Sequence, residues 1–181
     1  MKIVQVPHSV LLKKVKPVLK IDRKLETIVR NMINVLEKEK DPEGVGLAAN
    51  QVGLSISLFI MKATKKAPVT VCINPEILSL EKIPAVKKEK SAAKKTGTRA
   101  RLEGCLSIPR LWGYVQRSPK AHLRFTDISG KVHEKAFTGF EAVIVQHEMD
   151  HLEGMVFTQR VIEQKRKLYK EIDGELEPLK L

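Results

Sequence analysis

Cysteine is scarce in this sequence: only Cys72 and Cys105 occur among 181 residues. Two cysteines cannot build a disulfide framework, so each is either a small buried hydrophobe or a thiolate ligand or nucleophile. Long apolar runs are missing as well. The longest, around Leu54 to Met61, has eight residues and includes two serines, far short of the ~20 that span a bilayer. A membrane span is excluded. The opening Met1-Lys-Ile-Val-Gln-Val-Pro7 lacks a signal peptide's apolar stretch and cleavage site, so a cytoplasmic location is expected. There is no internal repeat, no G-x-G-x-x-G and no phosphate-loop Lys-Ser/Thr, which argues against nucleotide binding. Acidic residues are outnumbered, 21 against 33 Lys and Arg, for a net charge of +12. That excess means either a well-solvated surface or a polyanionic partner such as RNA. With 43% hydrophobic and 30% charged residues, the chain can bury a core, and its length suits a single domain.

The first clear element is a helix opening at Asp22, with Leu25, Ile28, Val29, Met32 and Leu36 at helical spacing, expected to run to about Lys40 before Asp41-Pro42-Glu43-Gly44. A Gly/Ala segment follows, then two β-like runs, Ile56 to Met61 and Val69 to Ile73, the second ended by Asn74-Pro75. Cys72 lies inside the second run and reads as a small residue in a buried strand. From Glu81 to Arg101 eight basic residues face only two acidic ones, with Ile83 and Val86 the only large apolar side chains. Such a segment cannot pack a core and reads as a mobile insertion. Strands are expected at Leu111 to Arg117, Ala121 to Thr126 and Lys131 to Phe137, the last two joined by a turn at Asp127-Ile-Ser-Gly130. Thr138-Gly-Phe-Glu141 has the capping-box form, opening a helix that stops at Gly154. A basic amphipathic helix is expected from about Arg160 to Lys170, and Glu171 to Leu181 reads as a frayed, mildly acidic end.

The helix after Thr138 carries His147-Glu-Met-Asp-His151. Residues i and i+4 share a face, so both imidazoles can reach one metal ion, while Glu148 sits where it can take a proton from a water that the metal has acidified. A third protein ligand is needed. The metalloprotease pattern that places a His three residues after a Gly fails, because Gly154 is followed by Phe157. A downstream Glu would fall on Glu171 or Glu175, in the frayed end. Cys105, in Glu103-Gly-Cys-Leu-Ser-Ile-Pro109, is the better candidate. A Cys/His/His set admits Fe(II), Zn, Ni or Co. The earlier segment Gly44-x-Gly46-x-Ala48-Ala49-x-Gln51 offers small residues that let backbone approach a substrate, and one amide, Gln51, able to donate to a developing oxyanion. Two alternatives stay open on these residues alone: a peptidase using His147, His151 and Glu171, or a basic RNA-binding module with a structural metal.

Taken together and in this order, the three segments resemble the peptide deformylase family. Its motifs G-x-G-x-A-A-x-Q, E-G-C-L-S and Q-H-E-x-D-H stand here as Gly44 to Gln51, Glu103 to Ser107 and Gln146 to His151. The likeness runs from the Pro7 region through Phe157. It implies an α+β fold, with antiparallel sheet around the central HExxH helix and a terminal helix from about Arg160. It implies removal of the formyl group from N-formylmethionine on new polypeptides, with Cys105, His147 and His151 holding a divalent metal, Fe(II) in the cell and replaceable by Zn, Ni or Co. Glu148 would be the general base and then acid; Gln51 and the Leu106 N–H would hold the oxyanion. Gly46 would bond the substrate backbone, and Val45, Phe140, Val143 and His147 would line the methionine pocket. Glu103 and Arg117 are expected to pair and fix the Cys105 segment. Residues 81–101 resemble a lineage-specific insertion, and Arg101 stands near the pocket rim where the family commonly has an apolar residue. The basic stretches at 81–101 and 160–170 suggest contacts to ribosomal RNA.

Overall fold

A computed structural model describes residues 1–40, 43–64, 66–83 and 100–179. The Asp22 carboxylate accepts hydrogen bonds from the N–H groups of Lys24 and Leu25 at 3.1 and 3.0 Å. This caps α1, Arg23–Leu36, which buries Leu25, Val29, Met32 and Leu36. The helix stops at the end of its apolar period, short of the expected Lys40, because nothing beyond Leu36 offers the core a side chain.

Strands β1 (Gly46–Ala48), β2 (Leu58–Met61), β3 (Thr70–Leu80), β6 (Lys120–Thr126) and β7 (Val132–Thr138) form an antiparallel sheet in that order. Its faces are covered differently. Leu58, Ile60 and Ile73 pack with α1, while Phe59, Met61, Cys72 and Leu123 pack under α2, Gly139–Leu152. The continuous buried run of β2 follows from this double coverage. β3 does not end at Asn74-Pro75 as expected. Its register shifts between Ile73 and Glu76, so Pro75, which lacks an N–H, falls at a bulge. Asn74, with φ +47, fixes the bulge by exchanging two 2.8 Å hydrogen bonds with the Val18 backbone.

A second sheet has the order β4 (Arg101–Cys105), β5 (Ile108–Val115), β8 (Leu168–Ile172), β9 (Glu175–Pro178). The terminal region departs most from expectation. Instead of one helix from Arg160, α3 spans Phe157–Glu163, and the chain turns at Lys165, φ +53, and returns as β8 on the free edge of β5. Leu168 is buried with Val161 and Phe157, so tertiary packing claims the residue that helical spacing had counted. The supposed frayed end is a hairpin, Ile172 facing Glu175 across Asp173-Gly174, whose φ values of +50 and +83 suit a two-residue turn. The Thr138 hydroxyl also fails to cap α2, since Thr138 closes β7 opposite Lys120 and the chain turns at Gly139. The lysine-rich stretch at 84–99 lies outside the described residues, and with it most of the expected insertion. No helix of the described residues is long and apolar enough to cross a membrane.

Candidate metal centre and active site

Helix α2 is buried on almost every side, carrying Gln146, Glu148, Asp150 and His151 inside with its apolar residues. Its sheet-facing side is Ala142, Ile144, Val145 and Leu152. The adjoining face presents His147 and His151, whose ring centroids are 5.0 Å apart. Cys105, at the end of β4, meets them. Its Sγ is 3.2 Å from His151 Nε2, and one ligand atom from each of Cys105, His147 and His151 lies within 4.8 Å of the others. One thiolate and two imidazoles at that separation suit a divalent transition metal with bonds of about 2.0–2.3 Å. Glu171 is not part of the cluster: its Oε2 accepts the Trp112 indole N–H at 2.6 Å.

The surroundings favour the Cys105 thiolate and fix the His147 ring. Burial alone would raise the Cys105 thiol, but His151 above all, with His147, pulls it down to about 5. Gln51 Nε2 points at Cys105 Sγ from 3.4 Å, and its Oε1 accepts the Ala48 N–H at 2.8 Å, which fixes the amide with its donors toward the centre. His147 Nδ1 pairs with Glu103 Oε2 at 3.0 Å, leaving Nε2 for a metal. Glu103 in turn takes a two-pronged bond from Arg117, Nε at 2.8 Å and Nη2 at 2.9 Å. This is the pairing expected from the sequence. Burial opposes ionisation of Glu103, yet Arg117 and His147 hold its carboxyl at about 2. The network extends beyond what the sequence suggested: Arg117 Nη1 reaches Asp150 at 2.6 Å, and Asp150 is clasped by Arg160 from α3, Nη2 also at 2.6 Å. Only the packing of α3 shows this link.

Glu148 projects beside the metal donors with Oε2 buried and without a hydrogen-bond partner. Burial pushes its carboxyl up to about 7, against the pull of His147 and His151. Space for it comes from Gly46. A Cβ there would strike Glu148 Oε1 and stand 2.9 Å from both Glu148 Cδ and Ile144 Cγ2. Around this constellation opens a cavity of about 510 Å³ that includes Val45, Gly46, Gln51, Leu106, Phe140, Val143, His147 and Glu148 in its wall. All the residues expected to bind substrate or act on it are therefore brought to one place. The sequence did not indicate Trp112, Ala63 or Ile144, which also line it. Arg101 does stand at the rim, its guanidinium 5.7 Å above the Phe140 ring. Cys72 plays no part: it is fully buried, and burial pushes its thiol well up.

Comparison with known proteins agrees with this geometry. Residues 1–167 match the family model described as polypeptide deformylase. The peptide deformylase of Rhodopirellula baltica is 34% identical over 98% of this chain and 80% of its own, and that of Desulforudis audaxviator 37% identical over 87% and 91%. The crystal structure of the Thermotoga maritima enzyme superposes with a TM-score of 0.74 at 33% identity, covering 88% of this chain and 95% of that one. A match over nearly the whole length, on a fold that unites a thiolate, two imidazoles and a buried carboxylate, leaves one assignment: this chain belongs to the peptide deformylase family.

Proposed function

We propose that this protein hydrolyses the formyl amide of N-formylmethionine at the start of newly made polypeptides, as one catalytic domain over residues 1–181. The observation that carries the reading is the unpartnered Glu148 carboxylate oxygen beside the Cys105, His147 and His151 donors, inside a cavity walled by Val45, Phe140 and Val143. A divalent ion held by those three donors would supply Lewis acidity, which polarises a carbonyl and makes water nucleophilic at neutral pH. Glu148 takes the proton released as water attacks the formyl carbon and returns it to the methionine nitrogen as the C–N bond breaks, giving formate and a free amine. Gln51 Nε2 and the Leu106 N–H steady the oxyanion between those events. Val45, Phe140, Val143 and the His147 ring accept the methionine side chain.

The substrate backbone has a seat as well. β1 and β4 are the edges of their two sheets, and each borders the cavity through Gly46 and through Arg101–Cys105. An extended peptide between them can use the unpaired backbone groups of both, Gly46 among them. Fe(II) is the cellular metal in this reading, on the strength of the motif resemblance; metal analysis of anaerobically prepared protein checks it. The enzyme would act in the cytoplasm and contact ribosomal RNA through basic residues at 81–101 and 160–170, although Arg160 is already engaged with Asp150.

The test is anaerobic turnover of a formyl-Met peptide by wild type and Glu148→Gln. A loss of about 10²–10⁴-fold with metal retained is expected. Equal rates would refute the role of Glu148.

A further inference from the structure

The N-terminal segment places no side chain in the proposed reaction, yet its backbone reaches both loops that carry the oxyanion donors. The Val4 N–H donates to the Gln51 carbonyl at 2.8 Å, and the Val6 N–H donates to the Ser107 carbonyl at 3.1 Å. Gln51 belongs to a single 3-10 turn, Ala49–Val52, that follows β1 of the five-stranded sheet. Ser107 belongs to the turn between β4 and β5 of the four-stranded sheet, directly after Leu106. Among the described strands, none pairs from one sheet to the other.

Two residues of chain span at most about 7 Å. The stretch from Val4 to Val6 therefore limits how far apart the Gln51 and Ser107 backbones can stand. The segment is itself anchored: Ile3 packs with the α1 core, and a second 3-10 turn, Ser9–Leu12, buries Leu11 completely. Ser107 is fully buried, although loop tips usually face solvent. Gln51 Nε2 lies 3.4 Å from its hydroxyl, and the Val6 N–H occupies its carbonyl.

An oxyanion shared by Gln51 Nε2 and the Leu106 N–H needs both donors about 2.7–3.1 Å from one oxygen position. The donors come from different sheets, so neither sheet's own ladder fixes their spacing. A segment bonded to both loops does.

We propose that Val4–Val6 is a positioning brace for the oxyanion site, holding the Gln51 turn and the Leu106–Ser107 turn at the separation the reacting oxygen requires. This rests on the deformylase reading and adds a positioning element to it. The brace works through two main-chain N–H groups, which is why no side-chain motif marks it.

The experiment compares wild type with Val4→Pro, which removes the N–H, and Val4→Ala, which keeps it. Turnover of formyl-Met-Ala amide is measured on the metal-loaded proteins, and metal affinity by chelator competition. Val4→Pro should lower kcat about tenfold or more, because a donor misplaced by ~1 Å costs up to about 10²-fold. KM should change less than about twofold and metal affinity less than about threefold, since the ligands and the methionine pocket are untouched. Val4→Ala should keep kcat within about twofold of wild type. A wild-type kcat in Val4→Pro, equal losses in the two variants, or a loss of rate matched by a loss of metal overturns the brace.

A second readout is independent of turnover. Deleting residues 2–6 removes both N–H groups and leaves the Ser9–Leu12 anchor. Amide hydrogen exchange of the holoenzyme should then quicken at residues 49–54 and 105–108 and stay unchanged in the β6–β7 hairpin. A uniform rise, or none at those two turns, overturns the proposal. If wild type releases no formate from formyl-Met-Ala amide, the deformylase reading fails instead, and the exchange pattern still decides whether the segment holds the two turns.

Discussion

Replacing Arg117 by Met tests the ion-pair network most directly, because it removes the charge while keeping most of the side chain's bulk. The Arg117 side chain is only 6% exposed and that of Glu103 5%. Breaking a buried pair by deleting one partner leaves an uncompensated charge, at a cost of about 3–5 kcal/mol. The titration of Glu103 gives a consistent figure: a carboxyl held at about 2 instead of its ordinary 4.5 contributes about 3 kcal/mol at neutral pH. Asp150 is lowered as well, by Arg160 first and Arg117 second, against the opposing effect of burial. The sign follows from linkage. A depressed carboxyl stabilises the fold fully above its ordinary value, and that contribution is lost as pH falls from 4.5 toward 2. In Arg117→Met the same carboxylates are a burden that protonation relieves. Urea unfolding of the metal-free proteins should therefore show the variant weaker by about 3–5 kcal/mol at pH 7, with the gap narrowing in acid. A difference below about 1 kcal/mol, the value of an exposed pair, or one that does not change between pH 7 and 3.5, would refute the argument. Metal affinity, measured by chelator competition, should fall together with stability, since Glu103 orients His147.

Other substitutions probe single contacts. Cys105→Ala should leave only two donors and lose bound metal, which metal analysis reads directly; retained stoichiometric metal would reopen a carboxylate ligand. Gly46→Ala should drive the Glu148 carboxyl from its place, lowering kcat by at least about tenfold, at an overpacking cost of about 1–3 kcal/mol in thermal denaturation. An unchanged kcat would show that the Gly46 contact does not position the base. Aerobic storage should inactivate the Fe(II) form, with oxidation found by mass spectrometry at Cys105 and not at the fully buried Cys72.

The sequence made some of this legible because local chemistry and tertiary use coincide. Asp22 and the apolar period of α1 act within one helix, and the two histidines at i and i+4 must share a face wherever that helix packs. Cys105 was reached by eliminating weaker ligands, and the fold brings its sulfur to His151. The terminal region was misjudged because Val161, Ile162 and Leu168 fit a helical period, while the buried place of Leu168 depends on β5, more than fifty residues earlier. The Asp173-Gly174 dipeptide was the available clue to the hairpin. Arg160 could not have been linked to Asp150 from spacing, since only the turn between α2 and α3 sets them side by side.

The candidate metal site draws its donors from two separately hydrogen-bonded sheets: Cys105 ends a strand of the four-stranded sheet, and both histidines ride on the helix packed against the five-stranded one. An ion there is a crosslink across the seam between them, closing a long loop of chain without a disulfide. Its loss would remove a mechanical tie as well as a reactive centre, leaving the buried Glu103, Arg117 and Asp150 ion pairs to hold β4 against α2.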